Sequence, residues 1–122
     1  MRAVTAPTHY PSGPAEVITV RGDLDAGTAP ALRTLTISLI AAGRHFLVLD
    51  LSAVPYADSI GLGVIVGALS RARRHDGGVT LVIREGSHLA AMFAASGLER
   101  VFMIRATVEE AVAELTVMEG EE

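Results

Sequence analysis

The chain has 122 residues, half of them hydrophobic and 20% charged, with a formal net charge of −4. That length and apolar content fit one domain with a real core and argue against disorder, while a negative balance with no basic stripe argues against nucleic-acid binding through phosphate neutralisation. The absence of cysteine removes disulfide scaffolds, thiolate metal sites and a cysteine nucleophile, and the absence of lysine removes a Schiff-base or P-loop lysine.

In chain order, Ala3 to Tyr10 is a first strand of poor pattern, and Pro11-Ser12-Gly13-Pro14 is a turn. Val17 to Arg21 is a clearer strand, expected to pair with the first as a hairpin. Gly22-Asp23-Leu24-Asp25 is a loop feeding a helix, with Pro30 in its first turn and Leu32, Leu35, Ile37, Leu39 and Ile40 as apolar positions. Gly43 ends that helix. Phe46 to Leu51 reads as an interior strand and Ser52 to Ala57 as a loop. A second helix follows to about His75, stopped by Asp76-Gly77-Gly78. Val79 to Ile83 is the next strand, Ser87 caps a short helix through Phe93, and Gly97 closes it. Val101 to Ile104 is a last short strand. Thr107 to Glu110 is a capping box that opens a final helix with Val112, Leu115 and Val117. The core is expected to span residues 3–118 of a single 1–122 domain, with a flexible acidic end at residues 119–122. The order ββαβαβαβα predicts an α/β fold around a mostly parallel sheet of about five strands with about four helices. No basic-then-apolar leader and no membrane-length apolar run are visible, so the expectation is a cytoplasmic protein.

The most informative segment is Asp58-Ser59-Ile60-Gly61-Leu62-Gly63, between a buried strand and an apolar helix. It places a serine hydroxyl at a helix start, at the carboxyl end of a strand, where open α/β sheets hold their functional groups. Free N–H groups and the helix dipole there would receive a phosphate. Gly61, Gly63 and Gly67 each weaken the helix by about 1 kcal/mol relative to Ala. Either something must approach that face closely, or the glycines only let the helix pack against the sheet while Ser59 or Asp58 caps it. Arg71, Arg73 and Arg74 read as cations suited to a helix C-terminus, and could extend a contact made along the helix.

Three chemical alternatives fare poorly. A nucleophile elbow needs Gly-x-Ser-x-Gly, and Ala57-Asp58-Ser59-Ile60-Gly61 lacks the first glycine. None of His9, His45, His75 and His88 is placed as its base. Gly61 to Gly67, with Glu85 about twenty residues on, is similar to a dinucleotide fingerprint, but the third glycine falls one residue late. Asp23, Asp25 and Asp58 could gather at one end of the sheet, yet such aspartates more often cap turns and helices, so no metal or cofactor is expected.

The stretch from Leu47 to Gly67 resembles the STAS domain family, in particular the bacterial anti-sigma factor antagonists. Their mark is an Asp-Ser-(Ser/Thr)-Gly-(Leu/Ile)-Gly loop after an apolar strand, here Asp58-Ser59-Ile60-Gly61-Leu62-Gly63. Gly22-Asp23-Leu24-Asp25 with Ala29 to Leu32, and Phe93-Ala94-Ala95-Ser96-Gly97-Leu98, match two further family segments, so the resemblance runs from about Val17 to Leu115.

The resemblance implies a non-enzymatic module of transcription regulation in stress response or sporulation. Its first partner would be an anti-sigma factor that is a serine kinase of the histidine-kinase-like ATPase type. Unphosphorylated antagonist binds that kinase and frees a sigma factor. The kinase phosphorylates the position matching Ser59 and ends binding, and a metal-dependent serine phosphatase resets it. The candidate contact surface is Asp23, Asp58, Ile60, Gly61, Leu62, Gly63 and Val66. Ile60 departs from the family's Ser/Thr and leaves Ser59 as the only hydroxyl in the loop core. Apolar surface could also support a weak homodimer. The rival reading is an unphosphorylated STAS scaffold, or a nucleotide-responsive module, in a larger complex.

Overall fold

The runs Ala15-Glu16-Val17-Ile18, Leu47-Val48-Leu49 and Gly78 to Val82 are buried at every residue, the signature of strands covered on both faces. The computed structural model describes the backbone of residues 6–120 and the side chains of residues 6–117. Its strands are β1 (Thr8–Ser12), β2 (Ala15–Arg21), β3 (Phe46–Ala53), β4 (Gly78–Val82) and β5 (Met103–Arg105), and its helices are α1 (Ala29–Ala41), α2 (Ser59–Arg74), α3 (His88–Ser96) and α4 (Val108–Gly120). They build one α/β domain around a five-stranded sheet in the order β1-β2-β3-β4-β5. The β1–β2 pair is antiparallel, and β2 to β5 are parallel.

Parallel neighbours in sequential order, joined by right-handed crossovers, put successive helices on one face. The core divides accordingly. Leu47, Leu49 and Leu51 of β3 and Leu81 of β4 pack with Leu32 of α1, Ile65 and Leu69 of α2, and Leu89 and Phe93 of α3. The alternate residues Val48 and Val82 turn to the other face, where they join Val17, Ala111 and Leu115 under α4. Among the described residues no helix is long and apolar enough to cross a membrane.

The expected element order holds, with shifted ends. β1 reaches Ser12, because Pro11 lies on an edge strand where its missing N–H is tolerated, so the turn narrows to Gly13-Pro14. The expected strand residues Ala3 to Thr5 lie outside the described ones. β5 starts at Met103, not Val101, because a 3₁₀ turn over Leu98–Arg100 continues past α3, and its Leu98 carbonyl accepts from the Val101 and Phe102 amides. α4 keeps helical backbone to Gly120, while Glu121 and Glu122 lie outside the described residues.

Candidate functional site

The carboxyl end of β3 is tied to the loop after β2. Gly22 N donates to the Ala53 carbonyl at 3.1 Å, Leu24 N to the Tyr56 carbonyl at 2.9 Å, and Asp58 N to the Leu24 carbonyl at 3.1 Å. A parallel bridge pairs Leu24 with Ala57, both buried. The upstream loop is itself braced. The Asp25 carboxylate accepts from the Gly27 amide at 2.9 Å, and the Thr28 hydroxyl donates to the Asp23 carbonyl at 2.7 Å. Asp23 therefore sits, half-buried, on a segment held against the start of α2.

That start is made by Asp58. Its backbone is extended, at φ −89 and ψ −175, and its carboxylate accepts from the Gly61 amide at 2.9 Å. This is N-cap geometry. Of the two capping candidates, the aspartate takes the cap and Ser59 becomes the first helical residue, its side chain exposed. Among the described residues the Ser59 hydroxyl has no hydrogen-bonding partner, histidine included: His9 pairs with Glu16, His45 stacks on His75, and His88 stacks on Tyr56.

The three glycines of α2 differ. A side chain on Gly61 would overlap the Leu24 carbonyl, so Gly61 lets α2 close on the upstream loop and is buried. A Cβ on Gly63 would meet nothing within 4 Å; this glycine lies on open surface. A Cβ on Gly67 would lie 3.3 Å from Arg71 Nη1. The first member of the nucleotide-like spacing is thus filled by an acceptor carbonyl, which repels a phosphate. Of the expected contact residues, Ile60 is 51% and Val66 39% exposed, and Gly63 is exposed between them. Leu62 and Asp58 are half-buried at the rim. At about 100° per residue, Ser59, Ile60, Gly63 and Val66 share the solvent side of α2. The Asp23 loop flanks its start, while Asp25 and Asp58 spend their carboxylates on local amides. Among the described residues, no three acidic or histidine side chains form a group able to hold a metal ion.

Sequence reasoning missed Tyr56. It is 44% exposed, and its ring lies 6.3 Å from that of His88 at 17°. It adds an aromatic beside the serine loop, next to a cleft of about 370 Å³ lined by Ser52, Pro55, Arg84 and His88. The signal was present, because Tyr56 is the only aromatic between β3 and α2. Its partner His88 comes from another crossover, which sequence spacing does not reveal.

Comparison with known proteins agrees with this architecture. The anti-sigma-B factor antagonist of Bacillus subtilis (strain 168) is 32% identical over 95 residues, which cover 78% of this chain and 85% of that protein. The fold matches a crystal structure of an anti-sigma factor antagonist from Mycobacterium paratuberculosis with a TM-score of 0.77, at 24% identity over 90% of this chain and 92% of that one. It also matches the Bacillus cell fate determinant SpoIIAA in its phosphorylated form, with a TM-score of 0.66, at 22% identity over 89% of this chain and 98% of that one. The STAS domain model matches residues 8–111. With nearly the whole sheet and its helices inside that match, the chain belongs to the STAS domain family, and its curated relatives are anti-sigma factor antagonists.

Proposed function

We propose that this protein is an anti-sigma factor antagonist, a binding protein rather than an enzyme, switched by phosphorylation of Ser59. Unphosphorylated, it docks the start of α2 on an anti-sigma factor that is a serine kinase, and a sigma factor is freed. The kinase transfers phosphate from ATP to the Ser59 hydroxyl, binding ends, and a metal-dependent phosphatase restores the hydroxyl. The cytoplasm is the compartment this cycle requires. The observation that carries the reading is the division of labour at the helix start. Asp58 holds the cap, so Ser59 is exposed, with no hydrogen-bonding partner among the described residues, beside the uncharged surface of Ile60, Gly63 and Val66.

The electrostatics favour a switch that acts on the interface. A phosphoserine adds about −1.5 to −2 charges. At the first helical position the dipole and free amides stabilise negative charge by roughly 0.3–1 kcal/mol, so the fold tolerates it. A docked partner would instead face a hydrated dianion where it had met a hydroxyl. Ile60, at the family's second hydroxyl position, restricts modification to one site in the loop and adds apolar contact area.

The test is intact-mass analysis after incubation with anti-sigma factors of the same genome and Mg-ATP. A single added phosphate that is lost in Ser59→Ala, with binding kept in Ser59→Ala and weakened in Ser59→Asp, is the expected result. Equal binding by all three forms, with no mass change, would overturn the switch and favour a scaffold.

A further inference from the structure

The arginines that close α2 suit its dipole but make no hydrogen bond to its end. Two of its last carbonyls are served by backbone: Ala72 O accepts from the His75 and Gly77 amides at 3.0 and 2.8 Å, and Arg73 O accepts from the Asp76 amide at 3.1 Å. The ion pairs among the described residues involve His9, Glu16, Arg44, Arg105 and Glu114, and none of Arg71, Arg73 and Arg74. Arg71 in fact points away from the C-terminus. Its guanidinium folds back beside Gly67, and its Nη1 is buried with no hydrogen-bond partner. Arg73 and Arg74 are exposed. Three cations on one turn with no acceptor among the described residues are unusual in a chain of net charge −4.

Their placement continues the surface that begins at Ser59. At 100° per residue, Gly63, Gly67, Ser70 and Arg74 fall on one line along the solvent side of α2. Arg71 reaches that line over Gly67, eight residues and about 12 Å from Ser59 at 1.5 Å per residue. From Ser59 to Ser70 the line carries no charge of its own. It is small and apolar at the phosphorylatable end and cationic at the other.

Resting on the function proposed above, we infer that Arg71, Arg73 and Arg74 are the second half of the docking surface, and that they receive an acidic stretch of the anti-sigma factor lying along α2. A carboxylate there would pair with the exposed side chains of Arg73 and Arg74. An extended polyanion such as nucleic acid fits less well, because the patch is a single turn on a negatively charged protein.

The absence of lysine gives a clean test, since Arg74→Lys introduces the only lysine of the chain. A water-soluble carbodiimide then joins that amine to a carboxylate in contact with it, forming an amide and releasing the carbodiimide as its urea. Incubation of Arg74→Lys with the anti-sigma factors of the same genome is expected to give a cross-link through residue 74 that the wild type does not give, mapping to an acidic segment. Arg73→Glu/Arg74→Glu is expected to bind about tenfold more weakly at low salt and to lose most of its salt dependence, while staying folded and melting somewhat below the wild type because anions oppose the dipole at that helix end. Ser59→Asp serves as the separate reporter of the switch. If it weakens binding while the arginine pair and salt do not, and no cross-link through residue 74 forms, the inference falls and the function stands. If no anti-sigma factor binds the wild type, both fall. If the double variant loses retention on heparin but keeps its anti-sigma factor, the patch serves a polyanion and the inference falls.

Discussion

Gly61 and Gly63 sit two residues apart on one helix, and the structure gives them opposite roles. Gly61 has the Leu24 carbonyl where a side chain would begin. Backbone carbonyls cannot rotate aside, so Gly61→Ala must push α2 off the upstream loop and break the Asp58–Leu24 hydrogen bond. The expected loss is on the order of 3 kcal/mol, read as a lower urea midpoint. Gly63 faces open space. Gly63→Ala gains helix propensity and is expected to stabilise the free protein by about 1 kcal/mol, while weakening docking if the partner backbone comes as close as a bare glycine allows. Equal effects on stability would contradict the packing of Gly61. The sequence shows three glycines that a helix should avoid, and leaves open whether a partner must approach them or the helix only packs closely through them. It does not show which glycine serves the fold, because the answer lies in Leu24, on a different loop.

At the level of elements, the start of α2 gives the cap to Asp58 and leaves the Ser59 hydroxyl, the proposed switch, exposed. Asp58→Ala removes the carboxylate that serves the Gly61 amide and is expected to cost about 1 kcal/mol, with Asp58→Asn restoring most of it. Ser59→Ala removes a hydroxyl without a partner and is expected to stay within about 0.5 kcal/mol of wild type. Ser59→Asp puts a negative charge in the first turn and should melt no lower than wild type. Thermal denaturation of the four variants checks this. A phosphomimetic that loses binding without losing stability places the switch at the interface. The strand–loop–helix order and the serine at the helix start were legible from the apolar run Phe46 to Leu51 and the glycines after it. Which of two good capping residues takes the cap was not legible. Asp58 takes it because its own amide is held by the Leu24 carbonyl, which fixes an extended backbone there.

For the whole molecule, the alternation within β3 and β4 assigns two jobs to two faces. Leu47, Leu49 and Leu51 anchor the helix layer that carries Ser59, and Val48 and Val82 anchor α4 on the reverse side. The mostly parallel α/β class was readable from the order of elements alone. The sequential strand order, and the solitary helix on the reverse face, follow only once each crossover is given its hand. The reverse cluster is small, six buried residues against the larger one beneath α1 to α3. Leu115 is wholly buried in it, whereas Val117, two residues on, is 61% exposed. Leu115→Ala should therefore cost about 3 kcal/mol through lost burial and a cavity that the sheet cannot close, and Val117→Ala should stay within about 0.5 kcal/mol. Because α4 and the start of α2 lie on opposite faces of the sheet, Leu115→Ala below its melting temperature should still bind the anti-sigma factor with wild-type affinity. Urea denaturation measures the first part and titration at low temperature the second. A Leu115→Ala protein that stays folded but binds weakly would mean that the sheet transmits the state of one face to the other.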